Sequence, residues 1–318
     1  LNEDIIYRYG DVVAMVAATS QREARDAAAK VVLDIEPLPA YMSALEAVSE
    51  DAMEIHQGIP NLFLEQPHFF GEETKDIIEK AAYAVSESYY TQRQPHLVLE
   101  PESGLAYIDE EGDLVIQYKS QTLYMQKGAI AGGIGVPAEK IRIVANNAGG
   151  SFGYSMSPTY PALLAVGALA LKRPCAMTMT FEEHQHYTPK RAPAFCNATL
   201  AADEEGRLPA FEYELAYDVG PYTQFAGPLL DKGPTFMGFP YRIPNAKGLT
   251  KEIYTNHNYN TTYRSYGVVT TTFITESLVD ELAVKMGQDP LEFRYQNVLR
   301  PGEVCLAGHP LDSYLVTD

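Results

Sequence analysis

The order of apolar and polar positions divides the chain into short, mixed elements. Apolar runs at 12–16 and 31–35 flank a polar, alanine-rich stretch, so residues 11–36 read as strand, helix, strand. The helix opens with Ser20 and Glu23, a pair in which each side chain can satisfy the other's backbone N–H. Ala24, Ala27, Ala28 and Ala29 give it a smooth face for a sheet, and Pro37 and Pro39 end the second strand. From 40 to about 70 the pattern is irregular, with Pro60 and Pro67, and predicts a long surface connector. A helix near 75–82 follows, then strand signals at Tyr89-Tyr90 and Leu97-Val98-Leu99.

Two hairpins are the clearest local features, because a Glu-Gly turn separates strand-like segments of suitable length in each. One joins 105–108 to 114–118 through Gly112, and the other joins 196–201 to 211–217 through Gly206. Helices are expected at 123–130, 158–171 and 271–286. Ser157 is placed to cap the second, with Pro158 at its first position, where a missing N–H costs nothing. The third carries Ile274, Leu278, Leu282 and Met286 on one face, Gly287 is placed to end it, and Asp289-Pro290 restarts a short helix to Asn297. Helices and strands mixed in irregular order, with no internal repeat, predict an α+β fold.

Composition narrows the function classes. The 318 residues suffice for one large domain or two modest ones, and 46% apolar with 21% charged residues is ordinary for a folded chain. The formal charge of −18 argues against nucleic acid, whose binding is driven by Lys and Arg, and against anionic membranes. Cys175, Cys196 and Cys305 have no CxxC spacing, so they assemble neither a zinc knuckle nor an iron–sulfur site alone, and their odd number argues against a disulfide framework. No apolar run reaches the roughly 20 residues of a membrane span and no signal peptide opens the chain, so a reducing cytoplasm is the expected setting. The abrupt entry from Leu1-Asn2-Glu3-Asp4 into apolar sequence predicts that the chain begins inside a domain.

Several segments could carry chemistry. Asn146-Asn147-Ala148-Gly149-Gly150-Ser151-Phe152-Gly153 lies between the strand at 141–144 and a helix start, an arrangement that presents backbone N–H groups to an anion or polar ligand. It is neither a Walker loop nor a dinucleotide fingerprint, and a tight turn packed on the sheet would also account for it. Gln121, at the end of the strand at 117–120, could aim its amide into the same cleft, or simply begin a helix. Gln94-Pro95-His96, with Glu100 and Glu102, pairs an imidazole with carboxylates on an apolar strand, which suits either acid–base work or satisfied strand ends. His184 and His186 would share one face of a strand, a possible metal spacing without a third ligand in view, so no metal ligand is assigned. Tyr263-Arg264-Ser265-Tyr266-Gly267 places an arginine between two rings, able to meet a phosphate or carboxylate or to pack structurally.

Taken in order, these segments resemble the molybdenum-binding part of the xanthine oxidase and aldehyde oxidoreductase family, especially the bacterial molybdenum aldehyde oxidoreductases. The resemblance runs from Tyr9-Gly10-Asp11-Val12-Val13-Ala14 through Gln94-Pro95-His96, Glu100-Pro101 and Gly149-Gly150-Ser151-Phe152-Gly153-Tyr154. It ends with Glu276-Ser277-Leu278-Val279-Asp280-Glu281-Leu282-Ala283 and Asp289-Pro290-Leu291-Glu292-Phe293-Arg294. It implies that residues 1–47 are the C-terminal part of an α/β hammerhead domain, 48–87 a connector and 88–318 the first molybdopterin-binding domain. By the same resemblance Gln121 matches the glutamine that hydrogen-bonds the metal's oxo group. Gly150, Ser151, Phe152 and Gly153 match the loop beside the pterin and metal, and Arg264 and Tyr266 match the arginine and aromatic residue near the metal centre and substrate.

The implied activity is half of a molybdenum hydroxylase, oxidising an aldehyde or N-heteroaromatic carbon with water-derived oxygen and inactive alone. The implied cofactor is a molybdopterin shared with a second molybdenum-binding domain or subunit, with iron–sulfur clusters and FAD on other domains. The family's Gly-Val-Gly-Glu motif and general-base glutamate are absent from the sequence. Two positions depart from the family pattern: Ser265 replaces a glycine, with Val268-Val269 after Gly267, and Ser155-Met156 stand where many relatives carry Lys and Glu. These changes leave open a non-catalytic assembly subunit that keeps the fold. A hydrolase built on His96 and Glu100 would instead need a closed pocket around them.

Overall fold

The computed structural model describes residues 4–312. Strands follow in chain order as β1 (Leu62–Phe70), β2 (Tyr83–Thr91), β3 (Ser103–Ile108), β4 (Leu114–Tyr118), β5 (Ile141–Ala145), β6 (Cys175–Thr178), β7 (Ala194–Ala202), β8 (Phe211–Asp218) and β9 (Ala246–Ile253). The α-helices are α1 (Gln21–Ala28), α2 (Ala44–Ala47), α3 (Lys75–Lys80), α4 (Leu123–Ile134), α5 (Thr159–Leu171), α6 (Phe181–Tyr187), α7 (Ala226–Thr235), α8 (Val268–Met286) and α9 (Pro290–Asn297). Mixed sheets with packed helices make this an α+β fold, as the sequence predicts. No helix among the described residues is long and apolar enough to cross a membrane.

The chain forms two compact units, each woven from separate stretches. The first comprises the segment up to Ala40, Gln94–Arg191 and Asn256–Arg264; the second comprises Tyr41–Arg93, Ala192–Thr255 and the segment from Ser265 onward. In the first, the sheet has the order β5-β4-β3-β6, with β4 and β5 parallel and the other pairs antiparallel. Helix α5 buries Tyr160, Leu164, Ala165 and Ala168. Its close approach to β3 depends on Gly104, where an added Cβ would lie 2.6 Å from the Leu164 side chain.

In the second unit the sheet has the order β1-β9-β8-β7-β2, antiparallel except for β8 with β9. Alternation decides its faces. Phe211, Tyr213, Leu215 and Tyr217 on β8 are buried, and Ile274, Leu278 and Leu282 of α8 join them in one core. Gly287 ends α8 in the left-handed conformation and Asp289 caps α9 through Leu291 and Glu292, both as the sequence indicates.

Other predicted elements differ. Both hairpins form, and α1 is capped by Ser20 as expected, but none of its residues is buried and no strands flank it at 12–16 or 31–35. Val32 is 90% exposed, and the strand expected at 31–35 has no ladder partner among the described residues. The expected irregular connector contains β1, whose Pro67 is tolerated because β1 is an edge strand. Residues 97–99 form no strand, and Leu97 has φ 48°. A 3-10 turn, Tyr154–Met156, separates the glycine loop from α5.

Glu252 on β9 is fully buried, and neither of its carboxylate oxygens has a hydrogen-bond partner among the described residues. Burial pushes its pKa up to about 8. Between the ordinary value of 4.5 and about 8, the folded state therefore holds a proton that the unfolded state has lost, and stability falls as pH rises through that window. Glu252→Gln is expected to remove this slope. Calorimetric melting across the window should show the variant gaining on the parent as pH rises; parallel curves would disprove the assignment.

Candidate functional site

Backbone geometry makes the glycine loop an open donor surface. Asn146 extends the β4–β5 pairing by donating its N–H to the Tyr118 carbonyl, after which the chain leaves the sheet. Gly150 and Gly153 have φ 117° and 121°, and Phe152 adopts φ 55°, a left-handed conformation unfavourable for a bulky side chain. An added Cβ on Gly153 would lie 2.3 Å from the Thr262 carbonyl oxygen. The backbone N–H groups of Gly150, Ser151 and Phe152 have no acceptor among the described residues. The Phe152 ring is 47% exposed.

A buried cation holds this loop from below. Lys119, just beyond β4, is 1% exposed and donates to the carbonyl oxygens of Glu100 (2.6 Å) and Pro101 (3.2 Å). Its ammonium also pairs with the Glu100 carboxylate at 3.4 Å and lies 5.1 Å from the Tyr154 ring centroid. Glu100 in turn accepts the Gly149 N–H. Burial lowers the Lys119 pKa, opposed by the carboxylates of Glu102 and Glu100, and burial raises Glu102 to about 7, opposed by Lys119.

Gln121 is exposed at the entry to α4, and its Oε1 accepts the Ser151 hydroxyl at 2.7 Å. Arg264 reaches the loop through its backbone: its N–H donates to the Phe152 carbonyl at 2.7 Å, while its own carbonyl accepts from Arg191 at 2.9 Å. The Arg264 side chain is exposed and its guanidinium has no partner among the described residues. Of the two roles open to Arg264, packing between rings is not found among the described residues; Arg191 occupies the face of Tyr263, 4.3 Å from its centroid. Tyr266 belongs to the second unit, where its hydroxyl donates to the Phe225 carbonyl. Thus Gln121, Gly150, Ser151, Phe152, Gly153 and Arg264 share the first unit.

The histidines have structural surroundings. His96 is buried, with Nε2 3.0 Å from the Thr262 carbonyl oxygen and rings of Tyr263 and Tyr154 at 4.2 and 5.4 Å, and it makes no hydrogen bond to Glu100. His184 and His186 lie on α6, not on a strand, and point apart: His184 is buried edge-on to Tyr154 at 4.8 Å, and His186 is exposed beside Tyr9. No cluster of three metal-capable side chains occurs among the described residues. Lys119 and Arg191 support the loop although no motif in the sequence assigns them a role, and Tyr154 stands in the glycine motif without one. A charged residue directly after the apolar strand of 114–118 was the available signal for the first.

Burial lowers the pKa of His96 to about 4 and of His184 to about 3. Below the ordinary value of 6.5 the unfolded chain takes up protons that these rings refuse, so the first unit should lose stability as pH falls from 6.5 to about 4. His184→Phe is expected to flatten that acid limb in circular-dichroism melts, and an unchanged limb would contradict the assignment. Gly153→Ala should destabilise by about 1–3 kcal/mol, the usual cost of a strained backbone, in the same melts. A neutral result would show that Thr262 yields freely.

Comparison with known proteins bears on this arrangement. A family model described as "Molybdopterin cofactor-binding domain" matches residues 55–298. The chain is 41% identical over 318 residues to an aldehyde oxidoreductase of Megalodesulfovibrio gigas, covering 100% of this chain and 35% of that protein. It is 28% identical over 313 residues to the nicotinate dehydrogenase large molybdopterin subunit of Eubacterium barkeri, covering 98% of this chain and 73% of the subunit. The crystal structure of the aldehyde oxidoreductase from Desulfovibrio desulfuricans superposes with a TM-score of 0.95 at 42% identity, over 98% of this chain and 34% of that one. The chain therefore spans about a third of the aldehyde oxidoreductases it matches, and it belongs to the molybdopterin cofactor-binding domain family.

Proposed function

We propose that the chain supplies one half of the cofactor site of a molybdenum hydroxylase that oxidises an aldehyde or N-heteroaromatic carbon, and that it is inactive alone. One observation carries this reading: the free N–H groups of Gly150, Ser151 and Phe152 stand in the same unit as an unpartnered Arg264 guanidinium. Unsatisfied amides and a free planar fork suit a phosphate-bearing, polar cofactor, so the residues present fit a molybdopterin. When bound, that group supplies the redox chemistry: the substrate carbon gains oxygen from water and two electrons leave towards iron–sulfur centres and FAD on other domains or subunits.

The chain's own residues bind and orient. In this reading Gly150, Ser151, Phe152 and Gly153 hold the cofactor, the Gln121 amide donates to it without adding charge, and Arg264 takes the substrate side, while Tyr266 is given a substrate contact by the family resemblance alone. The linear division into residues 1–47, 48–87 and 88–318 is our proposal for how the chain maps onto the domains of a longer enzyme. The free thiols of Cys175, Cys196 and Cys305 accord with a cytoplasmic setting.

A second reading, a non-catalytic assembly subunit, draws on Ser265. It keeps a left-handed backbone, φ 60°, at a position where the family pattern has glycine, so the scaffold persists although the residue has changed. Metal and pterin analysis separates the two. Co-purified with its complementary molybdenum-binding half, the chain should carry stoichiometric molybdenum and pterin, and Arg264→Ala should weaken retention by about 10- to 100-fold, the scale of a charged hydrogen bond. Stoichiometric cofactor and aldehyde oxidation by the isolated chain would sink the half-site reading; no cofactor in the intact assembly would favour the scaffold.

A further inference from the structure

The Ser151 oxygen is crowded with donors. It accepts the Ser155 hydroxyl at 2.5 Å and the backbone N–H groups of Gly153 and Ser155 at 3.2 and 3.3 Å. With the Ser155 hydroxyl donating to it, the Ser151 hydroxyl donates its own proton to Gln121 Oε1 at 2.7 Å. The opposite amide orientation would put an N–H of Gln121 on that oxygen, turn the Ser151 proton back towards Ser155 Oγ, and leave the buried Ser155 hydroxyl proton without an acceptor among the described residues. The network therefore selects the orientation in which Gln121 turns its carbonyl inward and its N–H pair outward.

Ser155 is itself held in place. It is 2% exposed, and its carbonyl accepts from the Nε2 of Gln126, a buried amide that also donates to the Ser157 carbonyl. Gln126 Oε1 accepts from the hydroxyls of Tyr118 and Ser120, so both ends of that amide are satisfied. Two glutamines of the same chain segment thus grip the loop: Gln126 anchors its 3-10 turn, and Gln121 receives the proton that the turn directs.

We propose that Ser155 and Ser151 are positioning residues, forming a one-way hydroxyl chain that fixes the Gln121 amide with its N–H groups presented to the cofactor. The inference rests on the reading of Gln121 as cofactor-facing. It also gives a physical role to Ser155, one of the positions at which the sequence departs from the family pattern.

The test uses the 15N-labelled 318-residue chain and, in parallel, the assembled holoenzyme. Relaxation of the Gln121 side-chain amide should report a rigid group in the parent and in Ser155→Thr, and an order parameter below about 0.6 in Ser155→Ala and Ser151→Ala. In the holoenzyme, Ser155→Ala should lower kcat about tenfold with KM and molybdenum content unchanged, and Ser155→Thr should restore it. An unchanged amide order parameter in Ser155→Ala overturns the proposal, as does molybdenum loss with the amide still rigid. A mobile amide with unaltered kcat leaves the hydroxyl chain standing and overturns the cofactor-facing reading of Gln121. Should Ser155→Ala fail to fold, Ser151→Ala, altered at a half-buried position, carries the amide-relaxation measurement, and a rigid Gln121 amide in it overturns the proposal.

Discussion

The candidate site depends on a buried positive charge. Removing the Lys119 ammonium from water is expensive, and the cost is offset only because two carbonyls and the Glu100 carboxylate converge on it. That convergence fixes the 100–102 segment against the end of β4. Glu100, held from behind, then holds Gly149, and the Tyr154 ring packs over the same ammonium. Without the cation, the Glu100 carboxylate would lose its counter-charge and the first turn of the glycine loop its anchor.

From that base the loop is shaped by backbone strain and hydroxyl geometry. The left-handed Phe152 is sustained by its carbonyl's bond to the Arg264 N–H, and Gly153 passes so close to Thr262 that only glycine fits. Strain of this kind persists only where surrounding contacts over-determine it. Here it leaves three N–H groups without an acceptor among the described residues and an aromatic ring exposed, a poor arrangement for packing and a suitable one for holding a polar ligand.

Buried ionisable groups divide into two kinds. Glu102 and Glu252 are pushed towards their protonated forms, while His96 and His184 are pushed towards neutrality. All four respond first to loss of water, with the Lys119 ammonium opposing that shift at Glu102. His96 closes over Tyr154 and Thr262 and makes no hydrogen bond to Glu100 among the described residues.

Local signals were legible in the sequence wherever the interaction that decides them is local. Both hairpins, the Ser20 and Asp289 caps, the Gly287 stop and the apolar stripe of α8 follow from residues within a turn or two of one another. The glycine loop, Gln121 and Arg264 were identifiable as an ordered set, though not as a geometry. What needed tertiary structure was anything set by a distant partner. Pro67 argued against a strand until β9 made β1 an edge, and 31–35 has strand composition without a ladder. Arg191, more than seventy residues from Arg264 in sequence, takes the Tyr263 face that was one alternative for Arg264, whose guanidinium has no partner among the described residues. Propensity and capping are properties of neighbours along the chain, so the sequence by itself determined the elements and the candidate residues. Burial, charge pairing and the direction of a hydroxyl proton depend on groups brought together across the fold, and only the tertiary structure decided those.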